Sequence, residues 1–339
     1  MLGAVRSSTR RWLVPLATSG AVAIIAVVPS LIPDSGHQPN LPPRGPNSIL
    51  LLLAASRGNQ LSGTVVETAN LGLPELPGQS TRGSGASTLT SLLTGSHTMR
   101  VWQDGTDRQR VSILEQLGET DAARNSSTVW TYQSSTDTAT LGTLEEFANS
   151  ELAQRLLRLI LLPIVTGPDS VVTAGPTDRV AGRDAYTVLV RPKRTGSLVD
   201  RVELSVDATQ GTLLRVRLYA VGMSDPAFSA RFTSISYKPP AQRLFDPVAG
   251  PAPAATRPAT TQPADASPVS TTSFGWTSIT KIRGSALARS AAATVNSLTD
   301  KIAGGRTLAT PLLSVLITDS GDFYVGAVPM DRLRSEAGL

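Results

Sequence analysis

Cysteine is absent from all 339 residues. Its absence excludes disulfide staples, thiol nucleophiles, thiolate metal sites and an acylated leader cysteine, so packing alone has to hold the fold. The compartment stays open on this point, since reducing and oxidising locations both tolerate a cysteine-free chain. Histidine is almost as scarce, with His37 and His97 the two copies. His37 lies in a proline-rich stretch, so a serine–histidine–acid triad would have to use His97. That residue precedes a strand pattern at the edge of a loop and reads as solvated. No Gly-x-Ser-x-Gly elbow accompanies it, and no His-x-x-x-His pair or EF-hand loop is present. Glycine-rich loops that join a strand to a helix around a phosphate are missing too. No basic run is interleaved with aromatics, and aromatic residues make up only 4% of the chain, so a nucleic-acid partner is not expected. The chain therefore reads as a non-enzyme without metal or cofactor.

Acidic residues are missing before Asp34, while Arg6, Arg10 and Arg11 supply three units of the net charge of +5 and leave +2 for the rest. Residues 12–33 form an uncharged stretch of 22 residues, long enough to cross a bilayer. The arginines before it predict a cytoplasmic N-terminus and an extracytoplasmic remainder, residues 34–339. The exit, Val-Val-Pro-Ser-Leu-Ile-Pro, has no small-residue cleavage site, so residues 1–33 read as an uncleaved single-pass signal anchor in the cell membrane. Secretion after cleavage is the alternative.

Residues 34–46 hold four prolines and read as a stiff spacer. Asn47 or Ser48 then caps a short helix through Leu50, Leu51, Leu52 and Leu53 that ends near Gly58. Alternating runs follow: LSGTVVE from Leu61, HTMRVWQ from His97, RQRVSIL from Arg108 and VWTYQS from Val129. They predict an antiparallel meander, with Asp104-Gly105-Thr106-Asp107 as a hairpin turn and residues 72–90 as a long loop. Thr143 and Glu146 form a capping box for a helix. Its second half, residues 156–162, has Arg158 as the one polar residue, so it has to be covered on most sides yet is too short to span a membrane. A second set of strands comprises GRDAYTVLVRP, DRVELSV, TLLRVRLY and SARFTSISY. Leu214, Val216 and Leu218 alternate with Arg215, Arg217 and Tyr219, and Val202, Leu204 and Val206 alternate with Arg201, Glu203 and Asp207, which is a sheet with one dry and one wet face.

Residues 247–270, dense in Pro, Ala and Thr, read as a linker. Residues 271–339 read as a small αβ unit. Its expected parts are a strand SFGWTSI, a helix over 286–302 closed by Gly304-Gly305, a hairpin turning at Asp319-Ser320-Gly321-Asp322, and a terminal helix from Met330. The dry faces and the apolar helix fit either a packed core or a groove with a lid, because patterning is the same for both.

The run MRVWQDGTDRQRVSI followed by VWTYQS, then VAGRDAYTVLVRP and VELSVDATQGTLLRVRLY, resembles the LolA-like periplasmic lipoprotein carriers in the form found in actinobacterial secreted proteins. The resemblance covers residues 47–245, and the ending LITDSGDFYVGAV is similar to the C-terminus of those relatives. It implies an α+β fold in which a curved antiparallel sheet, a half-open β-barrel over residues 47–246, carries helices across an apolar concave face that receives acyl chains. The N-terminal module of the regulators RseB and MucB is of this kind as well. Residues placed in the cavity on this basis are Met99, Val101, Val111, Ile113, Val188, Val202, Leu204, Leu214, Val216 and Leu218, with Leu157, Ile160 and Leu161 as lid. The implied function is binding or carriage of lipid or lipoprotein acyl chains at the cytoplasmic membrane. The alternative is an RseB-like lipid-sensing regulator that grips an anti-sigma factor or another envelope protein. An anchored chain departs from a soluble shuttle, and the missing cysteine departs from the acylated relatives.

Overall fold

The computed structural model describes residues 39–56, 59–72, 94–115, 118–143, 168–247, 269–272, 275–283 and 299–339. The expected anchor 12–33, the expected loop over 72–90 apart from Gly72, the expected apolar helix with Leu157, Ile160 and Leu161, and residues 286–298 of the expected helix over 286–302 lie outside them. Among the described residues no helix is long and apolar enough to cross a membrane.

Helix α1, Pro46–Ala55, starts earlier than the expected caps: Gly45, two residues before Asn47, is the N-cap, and Pro46 occupies the first turn. Proline suits that position because its fixed φ is helical and its missing N–H has no partner there anyway. The helix ends at Ser56, whose Oγ donates to the Leu53 carbonyl at 2.8 Å. Residues 39–46, part of the expected stiff spacer over 34–46, lie against the sheet. Thr177 Oγ1 donates to the Pro39 carbonyl at 2.8 Å and the Tyr186 hydroxyl to the Pro42 carbonyl at 3.0 Å, while Leu41 packs on the core.

Twelve strands form the main sheet: β1 (Leu61–Asn70), β2 (Thr94–Asp104), β3 (Arg108–Glu115), β4 (Gly118–Asn125), β5 (Thr128–Gln133), β6 (Thr138–Thr143), β7 (Ser170–Ala174), β8 (Asp178–Val180), β9 (Arg183–Pro192), β10 (Val199–Asp207), β11 (Leu213–Ala220) and β12 (Phe228–Ser236). Their spatial order is β6-β5-β4-β3-β2-β1-β12-β11-β10-β9-β7, with β8 paired to β9 off this path. All pairings are antiparallel, and β6 and β7 end the path without pairing to each other, so the curved sheet does not close into a barrel. The β1–β12 pairing joins two wings built from distant halves of the sequence. At that joint Gly63 pairs with Ile235, and a Cβ on Gly63 would collide with the Phe232 ring and the Ser234 carbonyl. The Asp104–Asp107 turn forms as expected, with Gly105 at φ 72° and Arg108 Nη2 2.5 Å from Asp104 Oδ2.

A second, six-stranded sheet contains β13 (Val269–Thr271), β14 (Ile279–Ile282), β15 (Asp300–Ile302), β16 (Gly305–Ala309), β17 (Ser314–Thr318) and β18 (Phe323–Gly326), in the order β13-β14-β18-β17-β16-β15. Helix α2, Met330–Ala337, buries Leu333 against it. Two expectations are corrected here. Residues 300–302 are a strand rather than the end of a helix, and Gly304, at φ 83°, turns a hairpin between β15 and β16. Within SFGWTSI a turn through Gly275, closed by the Ser278 N–H to the Gly275 carbonyl at 3.3 Å, delays the strand to Ile279.

The largest buried cluster joins the second sheet to the first. Ile49 of α1, Trp276 and Ala327 pack with Tyr186, Val188, Val190, Val199, Val202, Leu204 and Val206. The Ala327 carbonyl accepts the Leu198 N–H at 2.8 Å, and Trp276 Nε1 donates to Ser170 Oγ at 2.8 Å.

Candidate functional site

Cross-strand pairing fixes which side chains share a face, because alternate residues point to opposite sides. Val65 pairs with Met99, Gly63 with Val101, Met99 with Ile113 and Val101 with Val111. On the other wing Leu218 pairs with Phe228 and Val202, Val216 with Leu204, and Leu204 with Val188. Following these pairs across the β1–β12 joint, where Val65 faces Phe232 and Glu67 faces Ala230, nine of the ten cavity candidates lie on one apolar face. Leu214 sits where the β10–β11 register shifts, and packs with Leu61, Val180, Ala185 and Phe232.

The face is not uniform. Val188, Val202 and Leu204 are at most 5% exposed and belong to the cluster that α1, Trp276 and Ala327 cover, with Val216 and Leu218 packed at its margin. Their burial is accounted for by protein on protein. Met99, Val111 and Ile113 differ: they are half-buried, and among the described residues none of the buried clusters contains them. Val101 bridges the two situations by packing beside the Leu61–Phe232 cluster.

In the midst of this second region stands a carboxylate that the alternation LSGTVVE presents as the polar end of a strand. Glu67 is 3% exposed, and its Oε2 lies 3.1 Å from His97 Nδ1 on β2. Its Oε1 is buried and has no hydrogen-bond partner among the described residues. Burial pushes the Glu67 carboxyl up to about 7. His97, expected to be solvated, is therefore inside β2 and engaged with an acid, its side chain 18% exposed. The signal that would have found the pair is an acid and a histidine both placed in the apolar phase of neighbouring strands.

The opposite face is polar and internally paired. Asp121 accepts from Arg110 Nε at 3.1 Å and bonds Ser112, while Arg110 stacks between Trp102 and Trp130. A 3-10 turn, Gln242–Phe245, crosses this side: Trp130 Nε1 donates to the Phe245 carbonyl at 3.0 Å and Arg110 Nη1 to that of Leu244 at 3.2 Å. On the other wing Glu203 bonds Arg201, Arg217 and Tyr219, and Asp178 bonds Arg215 and Ser205. Asp207, fully buried, takes Arg183, the Tyr237 hydroxyl and the N–H groups of Thr209 and Gln210. These acids are satisfied structurally. Among the described residues no group of histidines and acids is placed to hold a metal ion.

No family model and no curated protein matches the chain. Solved structures do. The chain is similar to one from the Pseudomonas aeruginosa MucA/MucB complex, at 17% identity and a TM-score of 0.48, over 84% of this chain and 94% of that one. It is similar to a LolA-superfamily protein from Nitrosomonas europaea, at 12% identity and a TM-score of 0.22, over 84% and 90% of the two chains. A third is a putative outer membrane lipoprotein-sorting protein domain from Vibrio parahaemolyticus, at 8% identity and a TM-score of 0.24, over 59% and 95%.

Proposed function

We propose that the chain is an extracytoplasmic binding protein for lipid or lipoprotein acyl chains, held at the cytoplasmic membrane by residues 12–33, and that hydrocarbon lies along the β1–β3 part of the apolar face. The observation that carries this reading is the contrast within that face: Met99, Val111 and Ile113 are apolar and half-buried without belonging to a described cluster, whereas Val188, Val202 and Leu204 are protein core. Each methylene covered there contributes about 0.8 kcal/mol, so a few chain carbons suffice for measurable affinity. Of the ten cavity candidates, Met99, Val101, Val111 and Ile113 are kept as ligand-facing. The remaining six are reassigned to packing.

Native mass spectrometry of the full chain extracted from membrane-containing cells tests the reading. Co-purified lipid is expected, and a consistently lipid-free protein overturns it.

A regulatory reading, in which an envelope protein segment is gripped, has one observation in its favour: among the described residues β6 and β13 end their sheets with no further strand beside them, and strand addition takes place at sheet ends. Crosslinking in cells separates the two readings, because a stoichiometric protein partner without lipid favours regulation.

A further inference from the structure

Orphaned polar atoms in a dry interior are costly, and native proteins keep them where something else supplies the missing bond. Glu67 Oε1 is such an atom. The residue is 3% exposed, its other oxygen is 3.1 Å from His97 Nδ1, and Oε1 has no partner among the described residues. The position is also chemically out of place. Val65 and Ala69 flank it on β1, Met99 lies diagonally on β2 beyond His97, and the facing residue on β12 is Ala230 between Phe228 and Phe232. His97 is thus the one titratable group among its cross-strand and same-strand neighbours. A carboxylate that served stability alone would be better replaced by a hydrophobe in that setting.

We propose that Glu67 is the polar anchor of the lipid site: Oε1 accepts a hydrogen bond from a hydroxyl or amide N–H beside the ligand's acyl chain, while the chain itself lies on Met99 and Ile113. The ligand class is therefore a lipid that carries a hydrogen-bond donor close to its acyl linkage, such as a glyceride with a free hydroxyl or an N-acylated amine. This rests on the lipid-binding reading above. His97 is a positioning residue here, since it holds Oε2 and leaves Oε1 for the ligand's donor. Burial keeps the Glu67 carboxyl near neutrality in its titration, and in both protonation states an oxygen lone pair is available to the donor.

Two probes with one acyl chain separate the anchor from the hydrophobic site. Isothermal titration of the full chain in micelles of a neutral detergent, at pH 7, compares 1-oleoylglycerol with methyl oleate, which has the same hydrocarbon and no donor. Binding of the glyceride about tenfold tighter is expected, as one hydrogen bond to a buried acid is worth that much. In Glu67→Leu the glyceride is no longer bound more tightly than methyl oleate. If the wild type binds both probes equally, the anchor is overturned and the lipid reading survives. If it binds neither, the lipid reading fails and the anchor falls with it. Should Glu67→Leu not fold, the wild-type comparison of the two probes decides alone.

Discussion

Replacing Glu67 by glutamine changes one ionisation in the interior and almost nothing in shape, which makes its effect calculable. The folded carboxyl titrates at about 7 instead of 4.5 because burial disfavours the charged form. Between those two values the folded chain holds a proton that the unfolded chain has released. Unfolding then releases protons, so stability falls as pH rises. Moving a titration midpoint by one pH unit takes about 1.4 kcal/mol, so the loss across the window is about 3 kcal/mol. This penalty is absent below the unfolded value and complete above the folded one. Glu67→Gln has no carboxyl to ionise, so relative to the wild type it gains about 3 kcal/mol on going from pH 4.5 to pH 8. Urea unfolding of both proteins at the two pH values reads this difference directly, and other titrating groups cancel between them. His97 is the neighbour able to interfere, since its charge would favour ionised Glu67. Repeating the pair in a His97→Asn background removes that contribution. A wild-type-to-variant difference that is the same at both pH values refutes the claim that Glu67 is buried with an unmet charge cost.

Two further outcomes follow from the packing. Asp207→Ala strands Arg183, the Tyr237 hydroxyl and two backbone N–H groups, and a loss of about 3–5 kcal/mol is expected in denaturant titration. Burial pushes the Asp207 carboxyl up, but Arg183, the N–H groups of Gln210 and Thr209 and the Tyr237 hydroxyl together hold it below the ordinary carboxylate value. Its stabilisation is present above the unfolded pKa and disappears as pH falls through the folded one, so acid unfolding of the wild type should be steeper than that of the variant. Trp276→Ala removes the indole that the second sheet inserts into the main core together with its bond to Ser170. It should cost about 3–5 kcal/mol, and limited proteolysis should cut between residues 247 and 283 sooner than in the wild type.

Much of the main sheet was legible because eight of its strands, β1, β2, β3, β5 and β9 to β12, alternate cleanly. Strand β4 was not, and the reason is visible in GETDAARN. Asp121 is polar because it answers Arg110 and Ser112 on the outer face, and Thr120 occupies the apolar side, so both faces look wet in sequence. Short β7 and β8 give too few residues for a period to show. The Gly304 hairpin was misread because a glycine pair after an alanine-rich run has the form of a helix end, whereas the strand pairing of residues 300–302 with β16 decides otherwise. His97 and Glu67 could not be paired from local pattern, being 30 residues apart and brought together by the β1–β2 register alone.

Periodicity also cannot tell one half of the apolar face from the other, since Val188 and Ile113 obey the same alternation. What separates them is the covering element: α1, Trp276 and Ala327 over β9 to β11, and none of these over β2 and β3. A charge placed at each position exposes the difference. Val188 is 0% exposed, so Val188→Asp buries an ion with no counter-charge, and the protein should fail to fold or lose most of its stability. Ile113 is half-buried, so Ile113→Asp should leave the unfolding free energy within about 1 kcal/mol of the wild type while abolishing lipid recovery in native mass spectrometry. Equal destabilisation by both substitutions would make Ile113 as much a core residue as Val188. The β2–β3 surface would then have no room for hydrocarbon, and the binding function inferred from it would lose its physical basis.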